Sequence, residues 1–135
     1  MQITATQLEQ VNKQIQALVS AESFYGKKLE DAGISGVASS EDFTKLSFSE
    51  KNDLREAYPL GLMTAPEEEI VRIHSSSGTT GLPVIIPYTA KDVEDWAVMF
   101  KRCYEMAGIT NLDRIQITPG YGLWTAGIGF QNGAE

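Results

Sequence analysis

The chain has 135 residues, 42% of them hydrophobic and 21% charged, which suits one ordinary globular domain and is too little for several. Its 11 basic and 18 acidic residues give a net charge of −7, so nucleic acid and anionic membrane surfaces are not expected as partners. Apolar residues fall in short runs, far below the ~20 that cross a bilayer, and no charged-then-apolar signal segment opens the chain, so a cytoplasmic location is expected.

In chain order, Leu8, Val11, Ile15, Leu18 and Val19 recur at three- and four-residue steps, which predicts a helix with one apolar face beginning near Thr6. A second helix is expected over Ala21 to Ala32, carrying Phe24, Tyr25 and Leu29 and closed by Gly33. Ser39 with Asp42, and Ser47 with Glu50, have the spacing of capping boxes; the short helices they start would add Phe43, Leu46, Leu54 and Tyr58 to the same cluster. Pro59 and Gly61 stop the second of these. Residues 1–61 therefore read as a helical microdomain with a docking or scaffolding role and no catalytic constellation. Pro66 then opens a helical turn over Glu67, Glu68 and Glu69; adjacent carboxylates point in different directions, which favours a solvated acidic turn over a metal site.

The stretch from Ile70 to Tyr88 is a β-favouring run, a loop of hydroxyls and glycines, and a second apolar run. Gly78 and Gly81 can adopt backbone angles closed to other residues, letting successive N–H groups form a concavity suited to phosphate oxygens. Ser75, Ser76, Ser77, Thr79 and Thr80 add hydroxyl donors there. A flexible connector has the same composition, and strand-loop-strand units are common without ligands. The run lacks the Gly-Lys-Ser/Thr ending of a Walker loop and no helix follows it directly. His74, the single histidine, ends the first strand, where a structural or orienting role is expected.

Thr89 and Asp92 make another capping box, before a long amphipathic helix carrying Val93, Trp96, Ala97, Phe100, Cys103, Tyr104 and Ala107 and closed by Gly108. Cys103, the single cysteine, is expected to be buried on the apolar side as an unreactive thiol. A turn at Asn111 to Asp113 and a strand at Arg114 to Thr118 would complete a crossover into a parallel α/β sheet. From Pro119 to Phe130, glycines at 120, 122, 127 and 129 permit close approach, and Tyr121 and Trp124 offer aromatic surface to a ligand. Trp124 and Phe130 read equally well as core residues of a further helix.

Ser76-Ser77-Gly78-Thr79-Thr80-Gly81-Leu82-Pro83 resembles the phosphate-binding signature of the adenylate-forming superfamily, which includes acyl-CoA synthetases. The wider match from Val71 to Thr89, with Tyr121-Gly122-Leu123-Trp124-Thr125-Ala126-Gly127, resembles the phenylacetate-CoA ligase branch, over about Phe43 to Glu135. The resemblance implies an α/β fold in which the helical microdomain is followed, over residues 62–135, by the first strands and crossover helix of the large N-terminal domain, incomplete here. It implies a ligase of phenylacetate catabolism: an aryl acetic acid is activated by ATP as an acyl-adenylate and passed to coenzyme A. Ser76, Ser77, Gly78, Thr79, Thr80 and Gly81 would then hold the ATP phosphates, with Mg²⁺ supplying positive charge, and Tyr121, Gly122 and Trp124 would line the acid pocket.

Three departures stand out. Leu82 replaces the lysine that usually follows the last loop glycine, Pro119 stands where an aromatic residue often lines the pocket, and the sequence stops at Glu135, before the family's adenine contacts and catalytic lysine. No catalytic residue or metal ligand is therefore assigned within these residues. The 135-residue chain alone is expected to be inactive and to self-associate, as a homodimer or more loosely, through exposed sheet surface. The alternative is a noncatalytic module that binds a nucleotide or phosphate.

Overall fold

Thr4 starts the first helix by a reciprocal cap: its hydroxyl accepts the Gln7 N–H at 3.3 Å and the Gln7 side-chain oxygen accepts the Thr4 N–H at 2.9 Å. The computed structural model describes residues 3–76, 78 and 81–135. They form two compact units, Met1–Ala65 and Pro66–Glu135.

In the first unit, helix α1 (Ala5–Ser20) buries Ile15 and half-buries Leu8, Val11, Leu18 and Val19, the face expected from their spacing. Helix α2 spans Phe24–Asp31 and begins later than expected, because Ala21 to Ser23 make the turn out of α1. There Glu22 sits at φ +48°, and the N–H groups of Glu22 and Ser23 donate to Val19 and Leu18 carbonyls, a Schellman ending built without glycine. Ser23 then caps α2, accepting the Gly26 N–H at 3.0 Å. A β-carbon at Gly26 would lie 2.2 Å from the Leu18 carbonyl oxygen, so glycine is what lets α2 start against the end of α1. Gly33, at φ +67°, closes α2 as expected, with Gly33 and Ile34 N–H groups returning to Glu30 and Leu29.

Helix α3 (Ser40–Phe43) begins at Ser39, whose hydroxyl accepts the Asp42 N–H at 3.1 Å. Helix α4 (Lys51–Glu56) does not use the Ser47–Glu50 box. Its cap is Glu50, whose N–H donates to Asp53 at 3.0 Å, and Asp53 is further fixed by Lys28 at 2.8 Å, which sets the start of α4 three residues beyond Ser47. Phe43 and Tyr58, expected in the core, remain 42% and 46% exposed. Instead the buried positions are Ile15, Ser23, Gly26, Val37 and Ala57, with Val37 held to α1 by a two-way amide exchange: Asn12 donates to its carbonyl and accepts its N–H, both at 2.8 Å.

In the second unit, Glu67–Glu69 make one 3₁₀ turn after Pro66, with all three side chains exposed. Strand β1 (Ile70–Ser75) pairs antiparallel with β2 (Ile85–Thr89), His74 opposite Ile86 and Ser75 opposite Ile85, with a bulge between Ile70 and Arg72. Thr89 caps helix α5 (Ala90–Met106) through the expected box with Asp92, and Gly108, at φ +79°, ends it. Arg114 to Thr118 is not a strand, so the expected parallel crossover is not made: β1 and β2 pair with each other, and a third segment needs its own ladder partner to become one. Cys103 is exposed rather than buried, since it lies at the margin of the stripe formed by Val93, Trp96, Ala97, Phe100 and Tyr104.

Helix α6 (Ala126–Ala134) covers that stripe. A β-carbon at Gly129 would stand 2.6 Å from the Trp96 ring, and one at Gly133 would stand 2.2 Å from Phe100 Cβ. Phe130, one of the two aromatic residues with a core reading, packs edge-on against Phe100 at 4.9 Å, and its carbonyl accepts the Tyr104 hydroxyl at 3.0 Å. No helix of the described residues is long and apolar enough to cross a membrane.

Gly133→Ala should lower stability by about 1–3 kcal/mol through overpacking against Phe100, read as a fall in thermal midpoint. Gly120→Ala, where an added β-carbon meets nothing within 4 Å, is the control that should leave the midpoint unchanged.

Asp42 is held below the ordinary 3.8 of an aspartate chiefly by its bond from Lys45, then by Ser39 and the Ala38 N–H. Asp53 is held below it chiefly by Lys28, then by the Glu50 N–H. A carboxylate with a depressed folded pKa contributes stability above its unfolded value and loses it as pH falls through the folded one. Denaturant midpoints should therefore fall below about pH 4, and Asp53→Asn should flatten that limb; equal acid limbs in the two proteins would exclude this origin.

Candidate functional site

The two stretches singled out in the sequence meet where β1 ends. Successive strand amides point to opposite edges, and here both are used: Ser75 donates to the Leu123 carbonyl at 2.7 Å on one side, Ser76 to the Val84 carbonyl at 3.0 Å on the other. Ser76 also accepts the Val84 N–H on its hydroxyl at 2.9 Å, closing the base of the loop. That bond occupies the hydroxyl as an acceptor and leaves its own proton to donate.

Within the loop, Gly78 has φ +65° and Gly81 φ +133°, both in the region that favours glycine, and the Gly81 N–H donates to the Gly78 carbonyl at 3.1 Å. A β-carbon at Gly78 would press on the Gly81 carbonyl oxygen at 3.3 Å, whereas one at Gly81 would meet open space. The amides of Ser76 and Gly81 are thus committed to the loop's own closure, and that of Ser75 to Leu123. Ser77, Thr79 and Thr80, also expected to contact phosphate, lie outside the described residues. Leu82 is 57% exposed.

On the other edge, Ser75 and Trp124 form a parallel bridge. Tyr121, Gly122 and Trp124 are all exposed, Trp124 at 51%, so Trp124 is not the core residue of the alternative reading. The segment is anchored behind by α6: a β-carbon at Gly127 would lie 3.0 Å from the Gly120 carbonyl oxygen.

His74, buried at 3% exposure, places Nδ1 3.0 Å from the same Leu123 carbonyl. Its ring meets Tyr88 and Trp96 edge-on at 5.7 and 5.3 Å, while Tyr88 and Trp96 stack on each other at 5.2 Å. Burial in this cluster, with Asp92 as the smaller cause, raises the Tyr88 hydroxyl pKa above its ordinary value. A link that sequence reasoning missed runs from Arg72, whose Nη1 is 3.1 Å from the Asn132 amide oxygen when that amide is turned to match its partners, tying β1 to α6. Among the described residues no group of three or more His, Cys, Asp or Glu side chains is arranged to hold a metal ion. A separate cavity of about 470 Å³ in the helical unit, lined by Val11, Ile15, Leu18, Tyr25 and Leu29 among others, is mainly apolar.

No family model matches the chain. A phenylacetate-coenzyme A ligase of Pseudomonas putida is 46% identical over 95 residues, covering 70% of this chain and 22% of the relative. Those of Aromatoleum evansii and Thermus thermophilus are each 36% identical, over 99% and 98% of this chain and 31% and 30% of the relatives. The chain is a relative of the phenylacetate-coenzyme A ligases. It spans less than a third of the length of these ligases. Among solved structures, 2-hydroxyisobutyryl-CoA ligase in the postadenylation state, in complex with 2-HIB-AMP, superposes with a TM-score of 0.80 at 27% identity, over 94% of this chain and 28% of that one. An open conformation of that ligase in complex with 2-HIB-AMP and CoA gives the same TM-score over 94% of this chain and 31% of that one. The fold is thus a part of the larger α/β architecture of adenylate-forming CoA ligases, and in this chain the end of β1, at Ser75, lies beside Trp124.

Proposed function

We propose that the polypeptide carrying this chain is a cytoplasmic ATP-dependent acid–thiol ligase acting on an aryl acetic acid, and that these residues supply its phosphate loop and one wall of its acid pocket. The observation that carries the reading is the Ser75–Trp124 bridge. An acid lying on the exposed faces of Trp124 and Tyr121 would have its carboxylate beside the loop that begins after Ser75. A carboxylate oxygen attacks the α-phosphorus of ATP, the bond to pyrophosphate breaks, and an acyl-adenylate forms; the thiol of coenzyme A then attacks the acyl carbon and AMP leaves. Such steps are accelerated mainly by holding the reacting groups in line and stabilising phosphate charge.

For the phosphates, the groups this reading draws on are the proton of the Ser76 hydroxyl, the backbone N–H of Gly78, and the hydroxyls of Ser77, Thr79 and Thr80. Mg²⁺ would neutralise triphosphate charge when bound, but the described residues provide no cluster of three or more ligands for it. Residues 1–61 act as the docking or scaffolding part, and residues 62–135 begin the adenylation domain. The exposed apolar side chains of β1, Val71 at 61% and Ile73 at 45%, support burial of that face against further chain or a second copy.

The test is acid-dependent ATP–pyrophosphate exchange by the longest polypeptide that carries these residues, across aryl acetic, benzoic and small branched hydroxy acids. Exchange with an aryl acetic acid is expected, with the 135-residue chain silent; no exchange with any acid overturns the ligase reading, and exchange with only the hydroxy acid overturns the substrate class. In the same polypeptide Leu82→Lys should lower the KM for ATP by about threefold to tenfold, since one charge-assisted contact contributes on the order of 1 kcal/mol and Leu82 is exposed enough to be replaced. An unchanged KM for ATP would exclude triphosphate contact at that position.

A further inference from the structure

Two donors from β1 converge on one oxygen. The Leu123 carbonyl takes the Ser75 N–H at 2.7 Å and lies 3.0 Å from His74 Nδ1. A carbonyl can only accept, so Nδ1 carries the proton, and in the neutral ring Nε2 is then the acceptor. That Nε2 is buried and has no hydrogen-bond partner among the described residues. An apolar side chain of similar size would fill the same space beside Tyr88 and Trp96 without leaving a buried nitrogen unpaired. What it would not supply is the second bond to Leu123.

The Leu123 carbonyl belongs to the peptide that joins Leu123 to Trp124. The Ser75 N–H and the His74 Nδ1–H reach that oxygen from two positions of β1, so the histidine adds a second directional restraint on the peptide plane. The histidine ring is itself held from turning by the two aromatic rings set edge-on to it. Because Trp124 hangs from that peptide and the phosphate loop starts one residue past Ser75, the plane sets the spacing between the indole and the loop.

We infer that His74 is a positioning residue of the acid pocket: its Nδ1–H fixes the Leu123–Trp124 peptide, and with it the orientation of Trp124 toward the phosphate loop. The consequence for activity rests on the ligase reading above; the effect on the segment does not.

The test compares His74→Asn, His74→Gln and His74→Phe in the longest polypeptide that carries these residues. Asparagine puts its amide nitrogen at the Nδ1 position, glutamine puts it one bond further out, and phenylalanine keeps only the ring. In acid-dependent ATP–pyrophosphate exchange, His74→Gln and His74→Phe should raise the KM for the acid by about tenfold or more while the KM for ATP changes less than about twofold, and His74→Asn should restore most of the loss. Backbone hydrogen exchange should quicken over residues 121–126 in the glutamine and phenylalanine variants, with the α5 amides unchanged. A filler role predicts instead that all three variants lose both KM values and α5 protection together, or that phenylalanine behaves best; either result overturns the inference. So does an unchanged exchange rate over 121–126 in His74→Gln. If the parent protein activates no acid, the ligase reading falls, and the hydrogen-exchange comparison still decides whether His74 fixes the segment.

Discussion

A strand directs its successive amides to opposite edges, and the second unit is arranged around the place where that alternation is used at the end of a strand. At Ser75 and Ser76 the chain reaches left and right in consecutive residues, to Leu123 and to Val84. The first bond brings in a segment almost fifty positions away in sequence; the second closes a loop only eight positions long. A loop of small polar residues thereby has its base tied on both sides, to Val84 and to the Trp124 segment.

Local features of this arrangement were legible in the sequence. Thr89 with Asp92, and the glycines at 33 and 108, do what their positions imply, because a cap is settled within three or four residues. The Ser47–Glu50 pair had the right spacing and lost, since Asp53 both caps Glu50 and meets Lys28 on another helix, a competition the spacing does not contain. Arg114 to Thr118 has the composition of a strand and lacks a neighbour to pair with. Cys103 fell on the edge of a helical stripe, where period alone does not say how far the covering helix reaches.

The candidate site divides in the same way. The order of residues named the loop and the Tyr121–Trp124 segment, and the structure puts the flank of one beside the other. The means of joining them was not legible: a histidine side chain, a backbone carbonyl and a strand amide meet across a large separation, and no pattern in either stretch announces it. Glycines 129 and 133 carried a different lesson. Gly129 belongs to the set whose spacing suggests room for a ligand, yet that room is filled by Trp96, as the space at Gly133 is by Phe100.

That filling also sets how this part of the protein can change over time. Every missense change at a glycine codon adds at least a β-carbon, so at positions 129 and 133 no substitution is neutral by size, whatever its chemistry. The exposed end of α6, at Ala134 and Glu135, carries no such restriction. The nine residues of α6 therefore divide their mutational tolerance by face, and the strip that tolerates least is the one turned toward Trp96 and Phe100 of α5.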